Sequence, residues 1–288
     1  MMIAAAVLFG TTGTAQALGP AQASPLSVGA VRQVVGGSAL LGIGVVWWLR
    51  HHGGRWPRWS AKAGWVLLGG FSVMAFQATF FYGTRLNGVA VGTVIALGSS
   101  PLFAGVFDVL RGRPPTRRWA VATALAVAGI VLLSGVPGSA VGLQPLGVLA
   151  SLVAGAGYAG YAVATSTLIQ RGTAPLPTTA AVIGASGLIG AAVLPFTDNT
   201  WLARPDGLAM AAWLGLVTVV VSYLLMGTAL RHLSASTAIT LGLAEPMTAA
   251  LLGVVVLGER LGPVQWLGLV AVLAGVAVAG TGRARVTG

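Results

Sequence analysis

TAITLGLAEP, residues 237–246, sets a carboxylate and then a proline in the middle of an apolar run that continues as MTAALLGVVVL to Leu257. In a water-soluble core Glu245 would need a partner to offset the burial of its charge. In a bilayer the burial is as unfavourable, and an acid at that depth marks a functional position by default. Composition decides which solvent surrounds the run. Of 288 residues, 56% are hydrophobic and only 7% are charged, and the mean hydropathy is +0.89. These values lie outside the range of soluble domains.

Crossing the hydrocarbon core takes about 20 mostly apolar residues. Such segments recur near 1–18, 27–50, 63–83, 88–110, 118–136, 145–170, 177–196, 208–230, 234–257 and 263–281. The expected fold is therefore an all-α integral membrane protein of ten transmembrane helices. The stretch ending AQA (Ala15 to Ala17) resembles a signal-peptide cleavage site, but no basic residue precedes it. It is read as the first span.

A net charge of +11 would suggest nucleic acid for a soluble protein, but the placement of the charges answers differently. With the N-terminus in the cytoplasm, twelve of the sixteen basic residues fall inside, among them Arg50, Arg55, Arg58, Lys62, Arg111, Arg113, Arg117, Arg118 and Arg171. Only Arg85, Arg204 and Arg260 fall outside. The positive-inside bias thus predicts both termini in the cytoplasm and no nucleic-acid partner. Trp47, Trp48, Trp65, Trp119, Trp213 and Trp266 near span ends, with Trp56, Trp59 and Trp201 in loops, fit an interfacial belt. There is no cysteine, which removes disulfide and thiol chemistry.

TVIALG (93–98) and TAITLG (237–242) share four of six residues at a spacing of 144, half the chain length. At the same spacing Gly83 and Thr84 meet Gly227 and Thr228, and Pro101 meets Pro246 after a slip of one. Five spans per half force the second copy into the membrane upside down, an inverted-topology repeat. The expected halves are 1–140 and 141–288. Their charges agree, because LRGRPPTRRW (110–119) carries four arginines while its counterpart LGERLGPVQW (257–266) carries one arginine and one glutamate.

Inverted repeats supply inward-open and outward-open forms from one architecture, with substrate near the midplane. The matched interruptions Gly98/Pro101 and Gly242/Pro246 point there, since each proline removes an amide and frees a carbonyl one turn back. The same prolines also suit simple bending for packing. Glu245 sits beside the expected site, and Arg32 is the one basic residue well inside a span. Three roles stand for Glu245: a coupling proton carrier, an ionic partner of Arg32, or a protonated acid bonded to a neighbouring helix. Gln77, Ser99, Ser100 and Thr237 are further candidates for substrate contact. Tyr158 and Tyr161 share one helix face and suit either stacking on substrate or plain packing. Ser222 and Tyr223 also fall at membrane depth.

Several motifs lead elsewhere and are declined. GAGYAG (155–160) fits a dinucleotide fingerprint but follows no strand, so its small residues are read as helix contacts. GASG (184–187) resembles an intramembrane serine-protease motif, yet His51, His52 and His232 all lie at span ends, away from it. Three histidines and five acids never converge at ligand spacing, so neither metal nor cofactor is expected. Asp108 and Arg111 read as a local surface pair.

FGTTGTAQALGP (9–20), Pro25 with Arg32, and LAEPMTAALLGVVVLGERL (243–261) together resemble the EamA-type branch of the drug/metabolite transporter (DMT) superfamily. The likeness implies ten helices around a central cavity bordered by Arg32 and Glu245. It also implies export of amino acids, other metabolites or toxic compounds from the bacterial cytoplasm across the inner membrane. One departure is Arg113, where many members place a glutamate, which makes Glu259 structural. The expected function is a secondary exporter of a small amino acid-like or drug-like solute, with a proton as a candidate coupling ion and lipids as surroundings. Uptake of such a solute is the alternative, and an intramembrane enzyme is disfavoured for want of a convergent acid, base or metal site. Nothing in the sequence points to a particular oligomeric state.

Overall fold

The computed structural model describes residues 1–52, 62–112, 115–134, 144–258 and 260–281. Arg55, Trp56, Arg58, Trp59, Arg113, Glu259, Arg283, Arg285, the end of the fifth expected span and the 140/141 boundary lie outside the described residues. The elements are α1 (Met2–Ala17), α2 (Pro25–His52), α3 (Ala63–Asn87), α4 (Val89–Leu110), α5 (Arg117–Leu133), α6 (Pro145–Gln170) and α7 (Pro175–Val193). They continue with α8 (Pro205–Ala212), α9 (Ser222–Ala229), α10 (Ala235–Gly242), α11 (Ala244–Leu257) and α12 (Pro263–Gly280). A π-helical stretch, Trp213–Val221, joins α8 to α9 as one rod, Pro205–Ala229.

Among the described residues eight helices are long and apolar enough to cross a membrane. The sequence pattern predicts ten. α1, with 16 residues, and α5, with 17, are the two that fall short. Sixteen residues rise about 24 Å against a hydrocarbon core of about 30 Å. α1 stops because Pro20 cannot continue it, and the chain turns at Gly19.

Proline opens α2, α6, α7, α8 and α12 at the first helical position, where its missing amide is not needed. Thr116 and Ser234 cap α5 and α10 by accepting the amides of Trp119 and Thr237. Gly88 turns the chain from α3 into α4 with φ of 84°, a conformation that favours a residue without Cβ.

The two halves interleave. α6 packs most extensively on α3 and then on α4, whereas α1 packs on α11 and on the rod Pro205–Ala229. Each half therefore lends its first helix to the third and fourth spans of the other. Corresponding helices also pair directly, α2 with α7 and α5 with α12. Both pairs close on facing glycines. A Cβ on Gly37 would come within 2.9 Å of the Gly187 Cα, and one on Gly129 within 2.7 Å of the Gly268 carbonyl oxygen. Such backbone approach is the usual way helices associate where lipid offers no hydrophobic drive.

Trp201, expected in the interfacial belt, is instead buried in a small cluster with Val28, Val31, Met210, Ala211 and Leu214. A 3-10 turn, Thr200–Ala203, folds it over α2, where its Nε1 donates to Ser27 Oγ at 2.7 Å. The indole donor gains a partner that a headgroup position would leave to water.

Candidate functional site

α2 brings Arg32 into the bundle, where it is only 8% exposed. Its Nε has no hydrogen-bond partner. Tyr223, the second residue of α9, presents its hydroxyl to the guanidinium and lies beside Gln33. It gets there because the π-helical stretch adds residues to the turn, which rotates everything after Val221 relative to a regular helix. Tyr161 meets the Tyr223 ring edge-on at 5.0 Å between centroids, and Phe9 of α1 meets it at 5.1 Å.

Glu245 approaches from the other side. The chain leaves the helical path at Leu243, so α10 ends and α11 begins inside the membrane. Pro246 then lies in the first turn of α11, where a proline is tolerated, and Glu245 sits at a helix N-terminus whose dipole favours negative charge. Glu245 is half-buried and senses the charge of Arg32. Among the described residues the one ion pair within 4.0 Å is Arg204 with Asp206, at 2.8 Å. Arg32 and Glu245 therefore lie near enough to feel each other's charge without forming an ion pair.

The remaining expected residues divide into two groups. Tyr158 and Tyr161 are buried, and neither hydroxyl has a partner. Tyr158 lies beside the helix break, since a Cβ on Gly242 would come within 3.1 Å of its hydroxyl. Gln77 is buried with its Nε2 unpartnered and lies against Gly29, one turn from Arg32. The serines and Thr237 are engaged with their own helices. Ser99 donates to the Ala96 carbonyl at 3.2 Å, and Ser100 donates to Ala96 at 2.7 Å and to Leu97 at 3.2 Å. That last bond replaces the amide that Pro101 lacks, and α4 runs unbroken through Gly98 and Pro101. The two expected interruptions thus differ, a bridged proline in α4 and a true break after Gly242. Thr237 belongs to the cap of α10, with its Oγ1 accepting from Ser234 at 3.0 Å.

The small-residue motifs act in packing. Gly155 approaches the Ala96 carbonyl on α4, and Gly10, 145 residues earlier, approaches the Glu245 carbonyl on α11. Gly157 and Gly160 lie against Ser72 of α3, and Gly187 of GASG lies against α2. Gln33 accepts from Ser186 of that motif at 3.2 Å and leaves its own Nε2 unpartnered. Gln33 was not legible as a site residue, because its neighbour Arg32 dominates any reading of that helix.

Asp108 accepts from Ser236 Oγ on α10, and Arg111 Nη1 donates to Thr167 on α6 at 2.6 Å. These bonds lie at the end of the bundle that also carries Lys62 and Arg171, called here the basic end. α4 lies along α10 there and makes no extended contact with α11 among the described residues. A separate apolar recess of about 410 Å³ opens at the opposite end between α1, α8 and α11, two turns beyond Glu245 at Leu252.

Eight long apolar helices among the described residues define a multi-pass membrane protein. The chain belongs to the EamA-like transporter family, whose model matches residues 1–135 and again 145–281. This places it in the drug/metabolite transporter superfamily. YwfM of Bacillus subtilis (strain 168), described as an uncharacterised transporter, is 40% identical over 280 residues, covering 96% of this chain and 91% of its own. A solved crystal structure superposes with a TM-score of 0.78 at 20% identity, covering 96% of this chain and 94% of that one, which shows the shared fold.

Proposed function

We propose that the protein is a secondary exporter of the bacterial inner membrane that moves a small amino acid-like or drug-like solute out of the cytoplasm by alternating access. In this reading ten helices cross the membrane as two inverted five-helix repeats, 1–140 and 141–288, around a central cavity, with both termini cytoplasmic. The equivalent packing of α6 on α3 and α4, and of α1 on the rod and α11, supports the repeat. The positive-inside bias supports the orientation.

One observation carries the solute site. Arg32 Nε, Gln77 Nε2, Tyr158 OH and Tyr161 OH are buried without partners, and Glu245, which feels the charge of Arg32, forms no ion pair among the described residues. A buried polar group without a partner costs about 1–3 kcal/mol. A bound solute with complementary polar groups removes that cost. Substrate and proton then compete for Glu245, which couples export to proton influx, and no chemical change of the solute is involved.

The test is accumulation of labelled amino acids and cationic dyes in everted membrane vesicles under an imposed proton gradient. Uptake into the vesicles that collapses with the gradient, and that Glu245→Gln abolishes, is expected. Accumulation that proceeds equally in Glu245→Gln with unchanged pH dependence would sink the coupling role.

A further inference from the structure

Three cationic side chains converge at the basic end where α3, α4 and α6 meet. The Arg111 guanidinium lies 5.2 Å from the centre of the Trp65 ring and that of Arg171 lies 5.6 Å from it. Lys62, three residues before Trp65, donates from Nζ to Thr173 Oγ1 at 2.7 Å, two residues beyond Arg171. Arg111 is steadied by Thr167 and by the Phe107 ring at 5.2 Å. Lys62 and Arg171 form no ion pair among the described residues. Two guanidinium groups within about 6 Å of one indole centre, with Lys62 bonded two residues beyond Arg171, concentrate positive charge at this end of α3, and an anion there offsets it.

The surroundings select the anion. Trp65, Leu68 and Phe71 form one stripe of α3 at spacing three, and Leu68 and Phe71 are 42% and 63% exposed. Phe107 and Phe103 continue down α4 one turn apart, 36% and 37% exposed. A tryptophan at the end of a membrane helix sits at headgroup depth. Cations thus crown an apolar and aromatic face running into the membrane. Guanidinium forks and a lysine ammonium match phosphate oxygens.

We propose that Lys62, Arg111 and Arg171 bind the phosphate of an anionic phospholipid, whose acyl chains lie along α3 and α4. A free phosphate ion would use the cations alone and gain nothing from Leu68, Phe71 and Phe103.

The test compares melting temperatures of the full chain in detergent micelles doped with phosphatidylglycerol, with phosphatidylcholine, or with inorganic phosphate. A ligand of the folded state raises the melting temperature. Phosphatidylglycerol is expected to give the largest rise. Lys62→Gln/Arg171→Gln should remove most of that rise, while Arg231→Gln, a charge loss outside the cluster, should retain it. Equal rises with both lipids, an undiminished rise in the double variant, or an equal loss in Arg231→Gln would overturn the site. A rise with inorganic phosphate matching that with phosphatidylglycerol would overturn the lipid assignment.

Discussion

The Asp108 carboxylate of α4 accepts a hydrogen bond from the Ser236 hydroxyl of α10, joining the two proline-bearing spans at the basic end. Thr123 and Thr240 add a second link at 2.9 Å between α5 and α10. Further along, α4 and α11 make no extended contact among the described residues. Glu245, in the first turn of α11, follows these two links along the same span. Hydrogen bonds to charged groups contribute about 1.5–3 kcal/mol, enough to shift a two-state equilibrium about tenfold or more. Ser236→Ala should open the basic end. A cysteine at Ser99, in a chain with no other cysteine, should then react at least several-fold faster with an impermeant thiol reagent applied from that end. An unchanged rate would remove Asp108 and Ser236 from gating.

Arg32 and Glu245 influence each other without forming an ion pair. Neighbouring charges that interact give non-additive losses of about 0.5–3 kcal/mol. Arg32→Gln/Glu245→Gln should therefore melt at a higher temperature than the sum of the single variants predicts. Additive losses would show that the two charges act independently.

At the α5 and α12 contact a Cβ on Gly129 would lie 2.5 Å from the Val272 nitrogen, which is backbone and cannot swing away. Gly129→Ala should lower stability by about 1–3 kcal/mol, as overpacking does. Gly13→Ala, where nothing lies within 4 Å of the new Cβ, serves as the control. Equal melting temperatures for the two variants would show that the α5 and α12 contact is looser than drawn.

Sidedness tests the inverted repeat directly. Arg117 and Arg260 are both exposed and occupy corresponding places, at or just before the last helix of each half. Cysteine replacing Arg117 should be labelled only from the cytoplasm, and cysteine replacing Arg260 only from outside. Labelling of both from one face would leave the repeats parallel.

The loop before α8 isolates any pH effect. The bond from Arg204 holds the Asp206 carboxyl below the usual carboxylate range, and bonds from Thr200 do the same for Asp198. A depressed acid contributes stability above its unfolded value, about 4, and loses it as pH falls through the lower folded value. Neither acid changes charge between about pH 5 and 8. Asp206→Asn should therefore leave the pH profile of transport unchanged, in contrast to Glu245→Gln. A profile displaced by Asp206→Asn would assign the titration to this loop.

Much of the fold was legible because a bilayer allows few solutions. Helix positions follow from runs of apolar residues, proline marks five of their starts, and the spacing of TVIALG and TAITLG announces two related halves. Arg32, Glu245, Tyr158 and Tyr161 stand out as candidates because polar groups at that depth are conspicuous. What stayed hidden depends on rotation and depth. Periodicity carries no sign that residues 213–221 widen into a π-helix and turn Tyr223 toward Arg32. Ser100 and Pro101 look like the partner of Glu245 and Pro246, but a single hydroxyl bond to Leu97 keeps α4 whole while the chain breaks at Leu243. Composition and residue spacing alone establish that the chain lives in lipid and repeats itself. Helix packing set the rest, the exchange of first helices between the halves and the reach of Asp108 to Ser236, because both depend on contacts between residues far apart in the chain.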